Sequence, residues 1–367
     1  MNPTPDIART RMPTPNQPLA GIRVVDLSRY LPGPFCTLQL AWLGADVTVI
    51  ERAPGGDPMR LVPPIGSSGV SLASTSLLQG KESMLLDFAI EHDREAARDL
   101  LSGADVVVEG FRPGVATRLG FGYDELAIEN PALVYCSLTG YGQTGPWAQV
   151  PGHDANYEAV SGLLARTGTP HAPQVPALPF ADLAGGSLAA TAICAALVAA
   201  QVTGSGSHID ISLTEAALAW QAHALPAAAT ADATRQGGLL SGALATYRVY
   251  RCAGETFVAV APIESKFFAR LCELLGLDDL TSRQYDPSAQ GDICRQLEAV
   301  FLTRTADEWH DLLAVEETCV TRVYEGDSFT SHPQHAARKS LRELPDDPGT
   351  FVPASPFVIN GTRSDRR

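Results

Sequence analysis

Two stretches carry the residue types best suited to chemistry: Gly152-His153-Asp154-Ala155-Asn156-Tyr157 and Phe180-Ala181-Asp182-Leu183-Ala184-Gly185-Gly186-Ser187. They set a histidine and a carboxylate 29 positions apart (182 − 153), each in a turn-rich setting and each ahead of a helix-like run. Histidine titrates near neutrality and a buried carboxylate can be tuned upward, so the two suit proton removal and delivery at one carbon. Each also has a plainer reading. A histidine after glycine is often a turn residue bonded to backbone, and an aspartate before a helix is a natural N-cap. Glu264, in Ala261-Pro262-Ile263-Glu264, stands at the start of another helix-like run, where dipole compensation is the plain reading.

The elements that must position these groups follow from the pattern. Residues 22–27 form a β-branched run, 32–44 read as a helix with proline near its start and glycine at its end, and 46–51 read as a strand. That is a βαβ unit with a parallel sheet and right-handed crossover. A strand at 83–87, a helix at 91–102 and strands at 105–109 and 133–138 continue the alternation of an open α/β sheet. Residues 187–200 read as a buried Ala-rich helix, too short for a membrane span of about 20 residues. A strand at 208–212 and a helix at 213–224 follow, then a turn-prone stretch at 227–238. Residues 244–249 and 256–260 alternate like hairpin strands, and 264–275 and 306–313 read as helices, giving a second, α+β domain. The tail from 345 reads as an extended segment.

Open sheets bind ligands beyond the carboxyl ends of their strands. Three of the loops at those ends carry an arginine, Arg29, Arg52 or Arg112, which together point to an anionic ligand such as a phosphate group. Gly140-x-Gly142-x-x-Gly145 matches a dinucleotide fingerprint, but Pro146-Trp147 and the turns after it do not continue into a helix, so nicotinamide binding is not expected.

Composition bounds the classes. The 367 residues are 45% hydrophobic and 19% charged, enough for a full core and poor for disorder. A formal charge of −14, with no basic tract, argues against a nucleic-acid or membrane-surface protein. The 7 cysteines stand singly, which disfavours disulfide and metal frameworks and fits a reducing compartment such as the cytoplasm.

Several segments carry a resemblance: residues 18–28, Leu43-Gly44-Ala45-Asp46-Val47, Gly80-Lys81, residues 104–114, Asn130-Pro131, Thr139-Gly140-Tyr141-Gly142 and the two opening stretches. Over roughly residues 18–340 the chain resembles the family III CoA-transferases and, within them, the α-methylacyl-CoA racemases. The resemblance implies an α/β fold with an open, Rossmann-like parallel-sheet large domain, a smaller α+β domain and an interlocked homodimer. With the residue patterns it divides the chain into a flexible tail (1–18), a large CoA-binding domain (19–200), a linker strand and helix (201–238), a small α+β domain (239–325) and a C-terminal segment returning to the large domain (326–367).

The resemblance also implies roles. In the transferases the residue matching Asp182 is a nucleophile that becomes an acyl anhydride and then a CoA thioester. In the racemases it is an acid/base opposite the histidine matching His153, with Glu264 matching that histidine's support. The Gly152-His153-Asp154 motif favours inversion at the α-carbon of a 2-methylacyl-CoA through an enolate, with CoA transfer to a carboxylate as the alternative. Coenzyme A enters as part of the acyl-CoA substrate, carried on Arg52, Lys81, Arg112, Asp154 and Tyr157, with no tightly bound cofactor and no metal. Gln79 and Glu82 stand where the family usually has basic residues, which thins the positive charge at the nucleotide end.

Overall fold

Strands rich in valine and isoleucine, each followed by a crossover helix, assemble here into one parallel sheet. The structure is a computed structural model that describes residues 12–169, 171–227, 235, 237, 238 and 240–364. In chain order the elements are β1 (Arg23–Asp26), α1 (Pro32–Trp42), β2 (Asp46–Arg52), α2 (Leu72–Leu77), β3 (Glu82–Leu86), α3 (Glu91–Ser102) and β4 (Val106–Glu109). Then come α4 (Val115–Leu119), α5 (Tyr123–Glu129), β5 (Val134–Thr139), α6 (Asp154–Val160), α7 (Phe180–Thr203), β6 (Ser207–Ser212) and α8 (Leu213–Ala219). The sheet order is β3-β2-β1-β4-β5-β6, and every neighbouring pair is parallel. This is the doubly wound order, in which the direction of winding reverses between β1 and β4.

Alternate side chains serve opposite layers. Val24, Val47, Val106, Val108, Val134 and Cys136 pack with α1 and α7, while Val25, Ile50, Val107 and Tyr135 pack with Ala97 and Leu101 of α3 and Leu126 of α5. Central strands buried on both faces read as continuous apolar runs because neither face meets water. Helix α7 is longer than the run at 187–200, beginning at Phe180 and ending at Gly204 in a left-handed conformation (φ 70°). It is long and apolar enough to cross a membrane by length and composition alone, yet Ala181, Ala184, Ala189 and Ile193 are fully buried in the core.

Contacts divide the chain into two units. The larger takes the described parts of Met1–Leu163, Ala177–Ala222 and Pro333–Arg367, and the smaller takes Leu164–Pro176 and His223–His332. This differs from the sequence boundaries at several places, since the smaller unit also takes the described residues of 223–238 and residues 326–332. Residues 201–222, expected as a linker strand and helix, do form β6 and α8 but belong to the larger unit: Gly206 lets β6 approach β5, because a Cβ there would sit 1.9 Å from the Leu133 carbonyl oxygen. Residues 164–176, expected in the large domain, join the smaller unit, where the Ala224 carbonyl accepts from Arg166 Nη2 (3.1 Å) and the Thr169 carbonyl from Arg235 Nε (2.8 Å). The tail expected over 1–18 lies outside the described residues up to 11, and much of the stretch at 227–238 does too.

In the smaller unit β7 (Arg248–Arg251), β8 (Phe257–Val260), α9 (Ser265–Leu275), α10 (Gln290–Phe301), α11 (Ala306–Leu313) and β9 (Val320–Arg322) form an α+β domain. Its three strands are antiparallel in the order β7-β8-β9. The strand expected at 244–249 begins only at Arg248, because residues 244–247 are tied into a turn by Gln290 Oε1 on the Ala245 amide (2.9 Å) and by Tyr250 Oη on the Ala245 carbonyl (2.6 Å). Helix α10 was not read in the sequence; its Ile293, Leu297 and Phe301 are fully buried.

The C-terminal part carries α12 (Pro333–Arg338), a hairpin of β10 (Leu341–Leu344) and β11 (Asp347–Pro353), and a short pair, β12 (Val358–Ile359) and β13 (Thr362–Arg363). The tail is thus paired rather than simply extended. It packs on the larger unit, with Asp347 Oδ1 accepting from the Ser67 amide (2.6 Å) and Phe357 edge-on to Trp42.

Helices α1 and α7 meet through glycine. A Cβ on Gly186 would lie 2.6 Å from the Pro32 carbonyl oxygen and 3.1 Å from Phe35 Cδ1. Gly186→Ala therefore has to push the helices apart and is expected to lower stability by about 1–3 kcal/mol, read by urea denaturation; an unchanged midpoint would show that the contact yields freely.

Candidate active site

The cavity begins where β1 ends. Asp26 is fully buried and accepts from the Ser28 amide (2.9 Å) and from Thr37 Oγ1 (2.5 Å), tying the strand end to α1. The chain turns back so tightly that a Cβ on Gly33 would fall 1.9 Å from Ser28 Oγ. Tyr30 in this turn holds φ at 63°, uncommon for a residue with a side chain; Asp57 Oδ2 accepts its amide (2.9 Å). At the end of β4, Glu109 Oε2 accepts from the Phe111 amide (2.7 Å), and Arg112 follows at the mouth. These two turns and the end of β5 line a cavity of about 650 Å³, which also takes in His153, Tyr157 and Asp182. It lies beyond the carboxyl ends of the strands at the winding reversal, the usual ligand crevice of such sheets.

The β5 turn explains the glycines of the decoy fingerprint. A Cβ on Gly140 would be 2.3 Å from the Tyr157 ring and one on Gly152 would be 2.7 Å from it. Both glycines make room for that ring, whose hydroxyl donates to the Gly152 carbonyl. Burial and the nearby Asp182 carboxylate push the Tyr157 hydroxyl up to about 12, so it stays protonated.

Two helix starts bring in the ionisable groups. His153 is the N-cap of α6 in extended backbone; Asn156 Oδ1 accepts its amide (3.0 Å), and its ring meets Tyr30 edge-on at 6.0 Å. Asp182 is the third residue of α7, not its cap. The cap is Pro179, which supplies no side-chain bond, and α6 takes over that task. Asp154 Oδ1 accepts the Asp182 amide (3.0 Å), and Glu158 Oε1 accepts the Phe180 amide (3.1 Å). Burial, then the charges of Asp154 and Glu158, push the Asp182 carboxyl up to about 7. At neutral pH it exists in both forms, so it can attack as a base or nucleophile or deliver a proton. Among the described residues, no group of three or more His, Cys, Asp and Glu is arranged to hold a metal ion.

The sequence pattern of CoA-transferase family III matches residues 19–367. The chain belongs to this family. It is 35% identical over 357 residues to an acetyl-CoA:oxalate CoA-transferase of Acetobacter aceti, covering 95% of this chain and 90% of that protein. It is 33% identical over 350 residues to an alpha-methylacyl-CoA racemase of Homo sapiens, covering 93% and 87%. Among solved structures, a CAIB/BAIF family protein from Brucella suis superposes with a TM-score of 0.83 at 29% identity, covering 95% of this chain and 94% of that one. Relatives named for transfer and for racemisation thus match this family III chain almost equally well.

In this family III chain the cavity gathers His153, Asp182, Arg112 and Tyr157 from the residues singled out in the sequence, and Asp154 lies beneath as a backbone acceptor. Arg52 and Lys81 are not in its lining. Arg52 is exposed at the end of β2. The Lys81 ammonium is turned inward to the Pro34 carbonyl (2.6 Å) and Thr37 Oγ1 (2.7 Å), and burial lowers it to about 8. It ties α1 to β3. Glu264 belongs to the smaller unit as N-cap of α9; its side chain makes no cap bond, and its carbonyl accepts the Phe267 amide (3.0 Å). Tyr30 and Glu158 were missed. Neither belongs to the motifs singled out in the sequence, although the spacing of Glu158 four residues after Asp154 was visible.

The raised carboxyl makes a stability statement. An unfolded Asp titrates near 3.9 and Asp182 near 7. Across roughly pH 4 to 7 the native state therefore keeps a proton that the unfolded chain releases, and stability falls as pH rises. Asp182→Asn removes this cost. The variant is expected to be more stable than the wild type at pH 8, with the gap narrowing toward pH 5; a gap independent of pH in denaturant titrations would contradict it.

Proposed function

We propose that this protein transfers coenzyme A between an acyl-CoA and a small carboxylate, with Asp182 as the covalent nucleophile. The observation that carries the reading is the placement of the Asp182 carboxyl in the crevice at the winding reversal, with Arg29 and Arg112 at the same cavity. The family match over residues 19–367 and the identity to a CoA:oxalate transferase support it.

The steps follow from the carboxylate. Asp182 attacks the thioester carbonyl and CoA thiolate leaves, giving an aspartyl acyl anhydride. The thiolate then attacks the aspartyl carbonyl, releasing the first carboxylate and leaving CoA on Asp182. An incoming carboxylate repeats the two steps in reverse order and departs as the new acyl-CoA. A carboxylate titrating near 7 is a stronger nucleophile than an ordinary one, since nucleophilicity rises with basicity. Arg29 and Arg112 are suited to the CoA phosphates or the acceptor anion.

A second reading has its own observation. His153 lines the same cavity as Asp182, and a histidine and a carboxyl of nearly neutral titration can exchange one proton across an α-carbon made acidic by the thioester. This is the racemase activity favoured by the Gly152-His153-Asp154 motif.

Incubation with branched 2-methylacyl-CoA in deuterated water, with and without a panel of small carboxylic acids, separates the two. The transferase is expected to form an adduct on Asp182 and to pass CoA to an acceptor while the α hydrogen stays in place. Asp182→Ala should then lower transfer by a factor on the order of 10³ or more, whereas His153→Ala should leave it largely intact. Acceptor-independent deuterium entry with inversion, lost in His153→Ala, would sink the transferase reading in favour of the second.

The assembly we propose is a homodimer, as the family resemblance implies. Sedimentation of a dilution series is expected to show one species throughout; a folded monomer appearing on dilution would contradict it.

A further inference from the structure

Glu158 helps cap α7, but that bond occupies only one of its carboxyl oxygens. Its relative exposure is 0%. One oxygen, Oε1, accepts the Phe180 amide at 3.1 Å, while Oε2 is buried and has no partner to receive a bond from. Among the described residues no lysine or arginine forms an ion pair with it. What does lie beside it is the carboxyl of Asp154, one turn earlier on the same face of α6 and in reach of a side-chain hydrogen bond. Asp154 in turn holds the Asp182 amide at 3.0 Å.

Two carboxyls in contact, one of them out of water, resist ionising together. One proton between them resolves every unmet requirement. If Glu158 is the acid, Oε2–H donates to Asp154, the orphaned oxygen gains a partner, and Asp154 stays ionised with Oδ1 on the first turn of α7, where the helix dipole favours negative charge.

We propose that Glu158 is a positioning residue that shares its proton with Asp154, gives it up only near neutrality, and thereby controls how readily Asp182 ionises. The inference rests on the reading of Asp182 as the reacting carboxylate. The charged groups around the bridge are few. From α6 there are Asp154 and, at the cap, His153; from α7 there is Asp182; on α8 Glu215 is exposed. Burial first, then Asp154, push Glu158 up to about 7, and Asp182 lies at a similar level for the same causes in the same order. Loss of the bridging proton would therefore add a third negative charge next to the two already there and oppose ionisation of Asp182.

Glu158→Gln tests this, because an amide reproduces the neutral acid: its NH2 can donate to Asp154 and its carbonyl can accept from Phe180. The variant is expected to keep turnover within about threefold of the wild type at neutral pH, and to shift the acid limb of the kcat/KM profile downward by about one pH unit, since Asp182 no longer competes with a second titrating acid. A profile that superimposes on the wild type would reduce Glu158 to a helix cap and overturn the proposal. A folded variant with turnover reduced a hundredfold or more would also overturn it, by showing that the charged form is needed.

A measurement without substrate keeps the proposal separate from the function. With glutamate carboxyls labelled by 13C in the wild type, one signal, assigned by its loss in Glu158→Gln, should remain protonated at about pH 6, well above the ordinary glutamate range near 4.3. If the variant does not fold, the same signal assigned in Asp182→Asn, where it should titrate at lower pH, answers the question. Absence of any glutamate protonated near neutrality overturns the bridge. Retained activity of Asp182→Asn would instead remove Asp182 from the chemistry and leave the bridge to be judged by this titration alone.

Discussion

Helix α7 enters the core without a cap of its own, and the geometry of the site depends on how that deficiency is met. Its first turns are packed between the sheet and neighbouring helices, with Gly185 and Gly186 thinning it where Leu213 and α1 approach, while Val198 and Val202 near its end are exposed. A helix start so buried cannot leave its first amides to water. Pro179 offers nothing at the cap, so the acceptors come from α6, Asp154 for the Asp182 amide and Glu158 for the Phe180 amide. The bond that satisfies the backbone of Asp182 also fixes where its side chain emerges. Capping and positioning are one interaction.

Its electrostatic consequence is that three carboxyls share a partly dehydrated place. In an ordinary acidic surface such groups would be solvated and ionised; here burial dominates and lifts Asp182 and Glu158 toward neutrality. The overall charge of −14 matters less than where the cations stand. At physiological salt the screening length is about 8 Å, so Arg29 and Arg112 at the cavity govern what an anion meets there. Lys81 could have added to them but is committed to Thr37 and the start of α1, below the mouth.

The large domain was legible because parallel strands buried on both faces leave continuous β-branched runs, as at Val106–Glu109 and Asp46–Arg52, and because Glu91–Ser102 alternates acids with buried Ala97 and Leu101. The place of β6 was not, since nothing local in Ser207–Ser212 says that Gly206 brings it against β5. The turn at 244–247 and α10 hid for a related reason: a tyrosine hydroxyl and a glutamine from distant positions decide the one, and a face spaced over Ile293, Leu297 and Phe301 inside a polar-looking stretch decides the other. At the site, the motifs placed His153 and Asp182 in one cavity, but a list of basic residues could not show that Lys81 points inward. Nor could spacing show that Gly140 clears a tyrosine ring rather than a pyrophosphate.

The same carboxylate can serve two chemistries because the carbonyl carbon and the α-carbon of a thioester are bonded neighbours. Proton exchange needs only the acyl-CoA and a second base, and His153 lies at hand. Transfer needs more, since a second carboxylate must come within reach of Asp182 with the Asp154 carboxyl beneath it. That approach is repulsive unless positive charge offsets it and the remaining acid is neutral. Arg29 and Arg112 supply the first condition, and a protonated Glu158 would supply the second. In the proposed transfer, then, the cost of admitting an anionic acceptor falls on the groups around Asp182 rather than on the nucleophile, and their charge state separates a site that merely exchanges protons from one that passes CoA onward.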